Sequence, residues 1–179
     1  VNDTVHGVLA SKAEVMRHYD PVRIQGYCRA CEKYGLFWSC PPFDDEPLAR
    51  LPEWTHAVLM TQKTWVDAGQ DPIEQFMAAR QILGETLRLM ETGGAVSVIA
   101  GHCAGCSSCV RAQGLACHVP SRMRYSLEAL GFDVTGLAEA LTGQKMDWPS
   151  RGKPGTLSIV GALLCPTIDL AERVVARAS

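Results

Sequence analysis

Apolar positions change their spacing several times along this chain, and each change predicts an element. Val8, Val15, Met16 and Tyr19 fall near one face of a helix over 8–19. Asp20-Pro21 predicts its end, because proline lacks an N–H and restrains the residue before it. Residues 47–51 suit a helical turn. The run His56-Ala57-Val58-Leu59-Met60-Thr61, extended through Trp65, predicts a buried strand at about 55–65. Asp71 is a helix N-cap, Pro72 suits the first helical position, and Glu74 completes a capping pattern. Ile73, Phe76, Met77, Leu83, Leu87 and Met90 keep helical spacing until Gly93-Gly94.

Residues 95–100 read as a second strand, which completes a βαβ unit of the kind that runs its strands parallel. The strand leads straight into Gly101-His102-Cys103, at the carboxyl end where α/β sheets place their sites. Pro120-Ser121 predicts a helix through Met123, Leu127 and Leu130, stopped by Gly131. Asp133 caps a further helix with Leu137 and Leu141, stopped by Gly143. A loop over 144–155, a strand over 156–164 and a helix over 168–177 finish the chain. The expected fold is α/β: a small mixed sheet with flanking helices, containing a βαβ unit, with cysteine-rich metal-binding loops at one end. Residues 1–179 read as a single domain.

The 179 residues are 47% hydrophobic and 20% charged, a globular composition. A net charge of −2 supplies no basic field for a phosphate backbone, so nucleic acid is not an expected partner. No apolar run is long enough to predict a membrane helix. Val1-Asn2-Asp3-Thr4 is not a basic segment leading into an apolar run, and a cytoplasmic location is expected.

Eight cysteines change the picture. Cys28, Cys31 and Cys40 form one group; Cys103, Cys106, Cys109 and Cys117 form another. Such bunching suits metal ligation in a reducing compartment better than disulfide staples. The C-x₂-C-x₂-C spacing of Cys103, Cys106 and Cys109 is that of cubane-binding ferredoxin segments. Two-residue gaps curl the backbone around a cluster, and Gly105 and the serines let amides approach it. Zinc is the alternative, although it more often uses separated C-x₂-C pairs.

The simplest scheme is local, with one four-cysteine site and one three-cysteine site; crossed schemes remain open. Cys165 reads equally as a buried thiol or a ligand. The expected cofactor is therefore one or two [4Fe-4S] clusters, with zinc as the alternative. Three cysteines on a cubane leave one iron for water or substrate.

Two stretches resemble a known family. Tyr34-Gly35-Leu36-Phe37-Trp38-Ser39-Cys40-Pro41-Pro42 is similar to the hallmark of a family of bacterial and archaeal predicted metal-binding proteins of unknown function. The cysteines 103–117, followed by His118-Val119-Pro120 and Ser126-Leu127-Glu128-Ala129-Leu130-Gly131-Phe132-Asp133-Val134, resemble its second block. The departures, Leu36-Phe37 and Tyr125, touch no ligand position. The resemblance implies metal binding through the seven cysteines and names no substrate.

His102 and His118 flank cluster cysteines, as ligands or as hydrogen-bonding neighbours. Tyr34, Phe37 and Trp38 are candidate shields or ordinary core. Arg29, Arg122 and Arg124 are candidate charge balancers. Three functions follow: electron transfer with a redox partner or as an accessory to a partner enzyme; an enzyme using an open-site cluster as a Lewis acid on a small-molecule substrate; or a zinc-stabilised module.

Overall fold

The computed structural model describes residues 4–178. Its sheet contains β1 (Thr4–Ser11), β2 (His56–Val66), β3 (Val96–Val98) and β4 (Gly155–Cys165), ordered β1-β2-β4-β3. Helices α1 (Lys12–Met16), α2 (Pro21–Arg29), α3 (Pro72–Leu89), α4 (Val134–Thr142) and α5 (Ile168–Ala178) complete the α/β architecture.

Every neighbouring pair of strands is antiparallel, so the sheet is not mixed in its pairing. The βαβ unit is present in split form: β2 and β3 run in the same direction, and β4 lies between them. β2 and β4 are central and buried on both faces, which explains their continuous apolar runs. Val58, Met60 and Leu163 pack on one face with Leu83 and Leu87 of α3 and Leu170 of α5. Ala57, Leu59 and Leu164 pack on the other with Phe132 and with Leu137 of α4.

The first twenty residues depart from expectation. Residues 4–11 form edge strand β1, not the start of a helix. Ser11 then caps a single helical turn through a capping box with Glu14. Asp20-Pro21 starts a helix rather than ending one: Asp20 accepts the Arg23 N–H, and Pro21 takes the first position of α2. Residues 120–130 also differ. Pro120–Arg122 is only a 3-10 turn, and the chain beyond it is irregular. The Tyr125 carbonyl there accepts the Ile99 N–H at 2.9 Å, a tertiary bond that replaces helical pairing. Both caps of α4, Asp133 and Gly143, lie as expected.

Glu91 ties α3 to β3 and to the chain after the second cysteine block. Its carboxylate accepts from the Ser97 N–H (2.8 Å), the Ser97 hydroxyl (2.6 Å) and Arg124 (2.6 Å). Burial pushes the Glu91 pKa up, but these donors outweigh it and hold the carboxyl below the usual 4.5. The stabilisation is therefore complete above that value and is lost as pH falls through the lowered one. Glu91→Gln is expected to cost about 1–2 kcal/mol at neutral pH, allowing for solvent screening. In urea unfolding series the gap to wild type should narrow as pH drops below 4.5; a constant gap would refute the assignment.

Candidate metal centre

Cys28 sits on the last turn of α2, not in a loop, and Cys31 on the turn beyond it, where the Cys31 N–H donates to the Cys28 carbonyl at 3.1 Å. Cys40 closes a loop in which the Gly35 N–H donates to Pro41 O at 2.8 Å and the Cys40 N–H to Phe37 O at 3.0 Å. These three thiols line one cavity of about 230 Å³, together with His102, Ser126 and Glu128. Cys103, Cys106, Cys109 and Cys117 line a second cavity of about 20 Å³, walled by Phe37, Trp38 and Met123. One cavity is thus lined by three of the cysteines and the other by four. Among the described residues, no three His, Cys, Asp or Glu side chains converge tightly enough to hold a single metal ion; the thiols surround spaces instead.

Backbone amides already point at sulfur. The Gly105 N–H donates to Cys103 Sγ at 3.3 Å and the Lys33 N–H to Cys31 Sγ at 3.4 Å. A side chain at Gly105 would press on Cys103 Sγ and the Arg122 carbonyl, both 3.3 Å from an added Cβ. An added methyl there would need both neighbours to shift by a few tenths of an ångström.

The two blocks are far apart in sequence and joined in space. The Cys103 N–H donates to the buried Ser39 hydroxyl at 2.8 Å, and Trp38 Nε1 to Leu115 O at 3.0 Å. Arg111 donates to the carbonyls of Phe37, Cys40 and Pro42, and its guanidinium lies 5.2 Å from the Trp38 ring centre. Phe37 and Trp38 therefore cover the four-cysteine cavity from the opposite block, which suits the shielding role.

Arg80 of α3 is only 3% exposed and donates to the carbonyls of Ala100 and His102. Among the described residues it has no ion-pairing carboxylate within 4 Å; the Cys103 and Cys40 thiols would interact favourably with it once ionised. Sequence reasoning passed over it, although a signal existed: Phe76, Arg80, Leu83 and Leu87 share one helical stripe, and one of the four is charged. Arg111 and Ser39 left no comparable signal. Of the arginines singled out beforehand, Arg124 is paired with Glu91, while Arg29 and Arg122 are exposed.

Burial pushes the Cys28 thiol up to about 11 and raises Cys40 as well. Loading metal on them must release protons. Burial, then the charges of Arg80 and Lys33, push His102 down to about 4, so its ring is neutral at ordinary pH. His102 faces the three-cysteine cavity and stacks 4.2 Å from Phe37, despite adjoining Cys103 in sequence. His118 is exposed. Cys165 is fully buried in the core at the end of β4 and lines neither cysteine cavity.

Two cavities lined by thiols, on a split βαβ scaffold, define the class: an α/β protein with cysteine-lined cavities. The chain belongs to the predicted metal-binding protein family DUF2284, whose model matches residues 16–165. That match spans both cysteine blocks and reaches the end of β4. No curated protein matches the chain, and no solved structure does. Among the described residues, no helix is long and apolar enough to cross a membrane.

Proposed function

We propose that the protein is an iron–sulfur protein that holds [4Fe-4S] groups and serves in electron transfer or as an accessory to a partner enzyme. Cys103, Cys106, Cys109 and Cys117 form the complete thiolate set; Cys28, Cys31 and Cys40 form the incomplete one. The observation that carries this reading is the sorting of the cysteines into a four-thiol and a three-thiol cavity. The three thiols around about 230 Å³ suit a polynuclear group, whose corners stand apart, whereas the four-thiol space of about 20 Å³ must widen to take one. Such a group would supply one-electron chemistry. The chain supplies the rest: amides aimed at sulfur tune the potential, Phe37 and Trp38 limit water, and Arg80 offsets negative charge. Cys106 and Cys31 are exposed, giving each centre a short route to a partner's surface.

A specific observation favours a second reading, in which the three-cysteine centre acts as a Lewis acid on a small molecule. Cys28 and Glu128 also line a larger cavity of about 470 Å³, within the range of ligand sites.

Anaerobic purification followed by iron, acid-labile sulfide and electron paramagnetic resonance measurements tests the proposal. The expected product is brown and bleaches with dithionite. Cys106→Ser should remove the iron of one centre, Cys31→Ser that of the other, and Cys165→Ser neither. A colourless protein carrying zinc sinks the iron–sulfur reading.

A further inference from the structure

The cavity of about 470 Å³ lies beside the three-cysteine site and shares Cys28 and Glu128 with it. Its walls are largely apolar and aromatic. Phe76 and Trp148 stand 5.3 Å apart between ring centres, and Phe132 and Ile159 are buried behind the surface. The charged residues that line it are Glu128, Asp133 and Asp147, and no lysine, arginine or histidine lines it.

Two of the three acids are already matched. Asp133 is paired with Arg23 at 2.7 Å, and Asp147 with Lys63 at 3.1 Å. Glu128 differs: its carboxyl partners are its own backbone N–H and the Ser126 hydroxyl. Among the described residues it has no cation within ion-pairing reach. Arg80 stands behind Ala100, one of the lining residues, but is turned to the Ala100 and His102 carbonyls. Burial favours the neutral form of this partly buried carboxyl, so it gains an ion partner only from a ligand that brings a cation. Aromatic walls favour a flat apolar body and add cation–π attraction.

We propose that this cavity binds a small organic cation of the arylalkylamine class, with its ammonium group at Glu128, its ring among Phe76, Phe132 and Trp148, and the Cys28 side of the three-cysteine site next to it. The proposal deepens the Lewis-acid reading, which it uses only for what the bound molecule meets, not for the binding itself. A volume near 470 Å³ admits a fused two-ring amine with room for substituents.

The test uses three probes of one shape, 2-naphthylmethylamine, 2-naphthylmethanol and 2-naphthoate, titrated into anaerobically purified protein by calorimetry and by tryptophan fluorescence. The amine should bind at least about tenfold more tightly than the alcohol or the carboxylate, in line with one charge-assisted contact. Its fluorescence response should disappear in Trp148→Phe. Glu128→Gln should abolish the amine preference, whereas Asp147→Asn, whose carboxylate is already engaged by Lys63, should keep it. Thr135→Trp, at an exposed lining position, should block all three probes.

Carboxylate binding as strong as amine binding overturns the proposal; so does the absence of saturable binding, or an amine preference that survives Glu128→Gln. Should Glu128→Gln fail to fold, the wild-type probe ranking and the Thr135→Trp block still decide. Iron and sulfide are counted on the same samples. Lost binding with iron intact refutes the cavity assignment alone, and binding without iron refutes the cluster reading alone.

Discussion

Arg80→Met should lower both the stability of the protein and its hold on metal. The guanidinium is buried, and its donors satisfy two carbonyls on the strand-to-cysteine connection, those of Ala100 and His102. Methionine matches the apolar stem but leaves both carbonyls unpaired, at about 1–3 kcal/mol each. Relief of the buried charge offsets part of this, since burial already pushes the Arg80 pKa down. A net loss of about 2–4 kcal/mol remains for metal-free protein, which corresponds to roughly 5–15 °C in Tm for a chain of this size. The thiolates near Arg80 also lose their internal cation, and metal affinity should fall about 10–100-fold, as when other groups supporting ligands are removed. Arg80→Lys restores the charge without the fork and should recover metal retention more than stability. Differential scanning calorimetry of metal-free protein and chelator competition on loaded protein check the two effects separately. Unchanged values in both would deny Arg80 any role at the site.

Gly131→Ala is expected to be the most damaging single methyl addition near the site. Gly131 has φ +101°, and an added Cβ would lie 2.9 Å from Pro21 Cβ, 3.0 Å from Pro21 Cα and 3.1 Å from the Tyr19 ring. Backbone strain of about 1–3 kcal/mol and a similar overpacking cost combine to about 3–5 kcal/mol. Gly143 provides the comparison: its φ is +66°, nothing lies within 4 Å of an added Cβ, and Gly143→Ala should cost only about 1–2 kcal/mol. The Gly131 carbonyl accepts the Asp20 N–H at 3.0 Å, so displacement there moves the start of α2 and with it Cys28. Metal should leave the three-cysteine site before the four-cysteine site. Urea denaturation of both alanine variants, with metal counts, tests this; equal costs at the two glycines would contradict the packing argument.

Elements with an end marked by local chemistry were legible from residues alone. α3 has Asp71 and Pro72 at its start, and α4 has Asp133 and Gly143 at its limits. β2 and β4 were legible because burial on both faces writes an unbroken apolar run. β1 was not: Val8, Val15, Met16 and Tyr19 happen to fit a helical face across a strand–helix junction. The Ser11–Glu14 capping box was the signal that divides them. The helix expected after Pro120 failed because the Tyr125 carbonyl serves Ile99, a partner that no local pattern announces. All seven candidate ligands were visible as cysteines, since their chemistry is carried by residue type and spacing. The clamps that join their blocks were not, because Ser39–Cys103 and Arg111–Cys40 link residues more than sixty positions apart.

The interleaved strand order bears on how the protein matures. β3 leads into Cys103, and its neighbour in the sheet is β4, made after both cysteine blocks. A nascent chain therefore displays every candidate ligand on the ribosome before the strand that braces the second block exists. Domains generally fold as units during synthesis, so centre assembly should await β4. Polypeptides released early, within 144–154, should emerge with all seven cysteines of the two blocks and no durable centre.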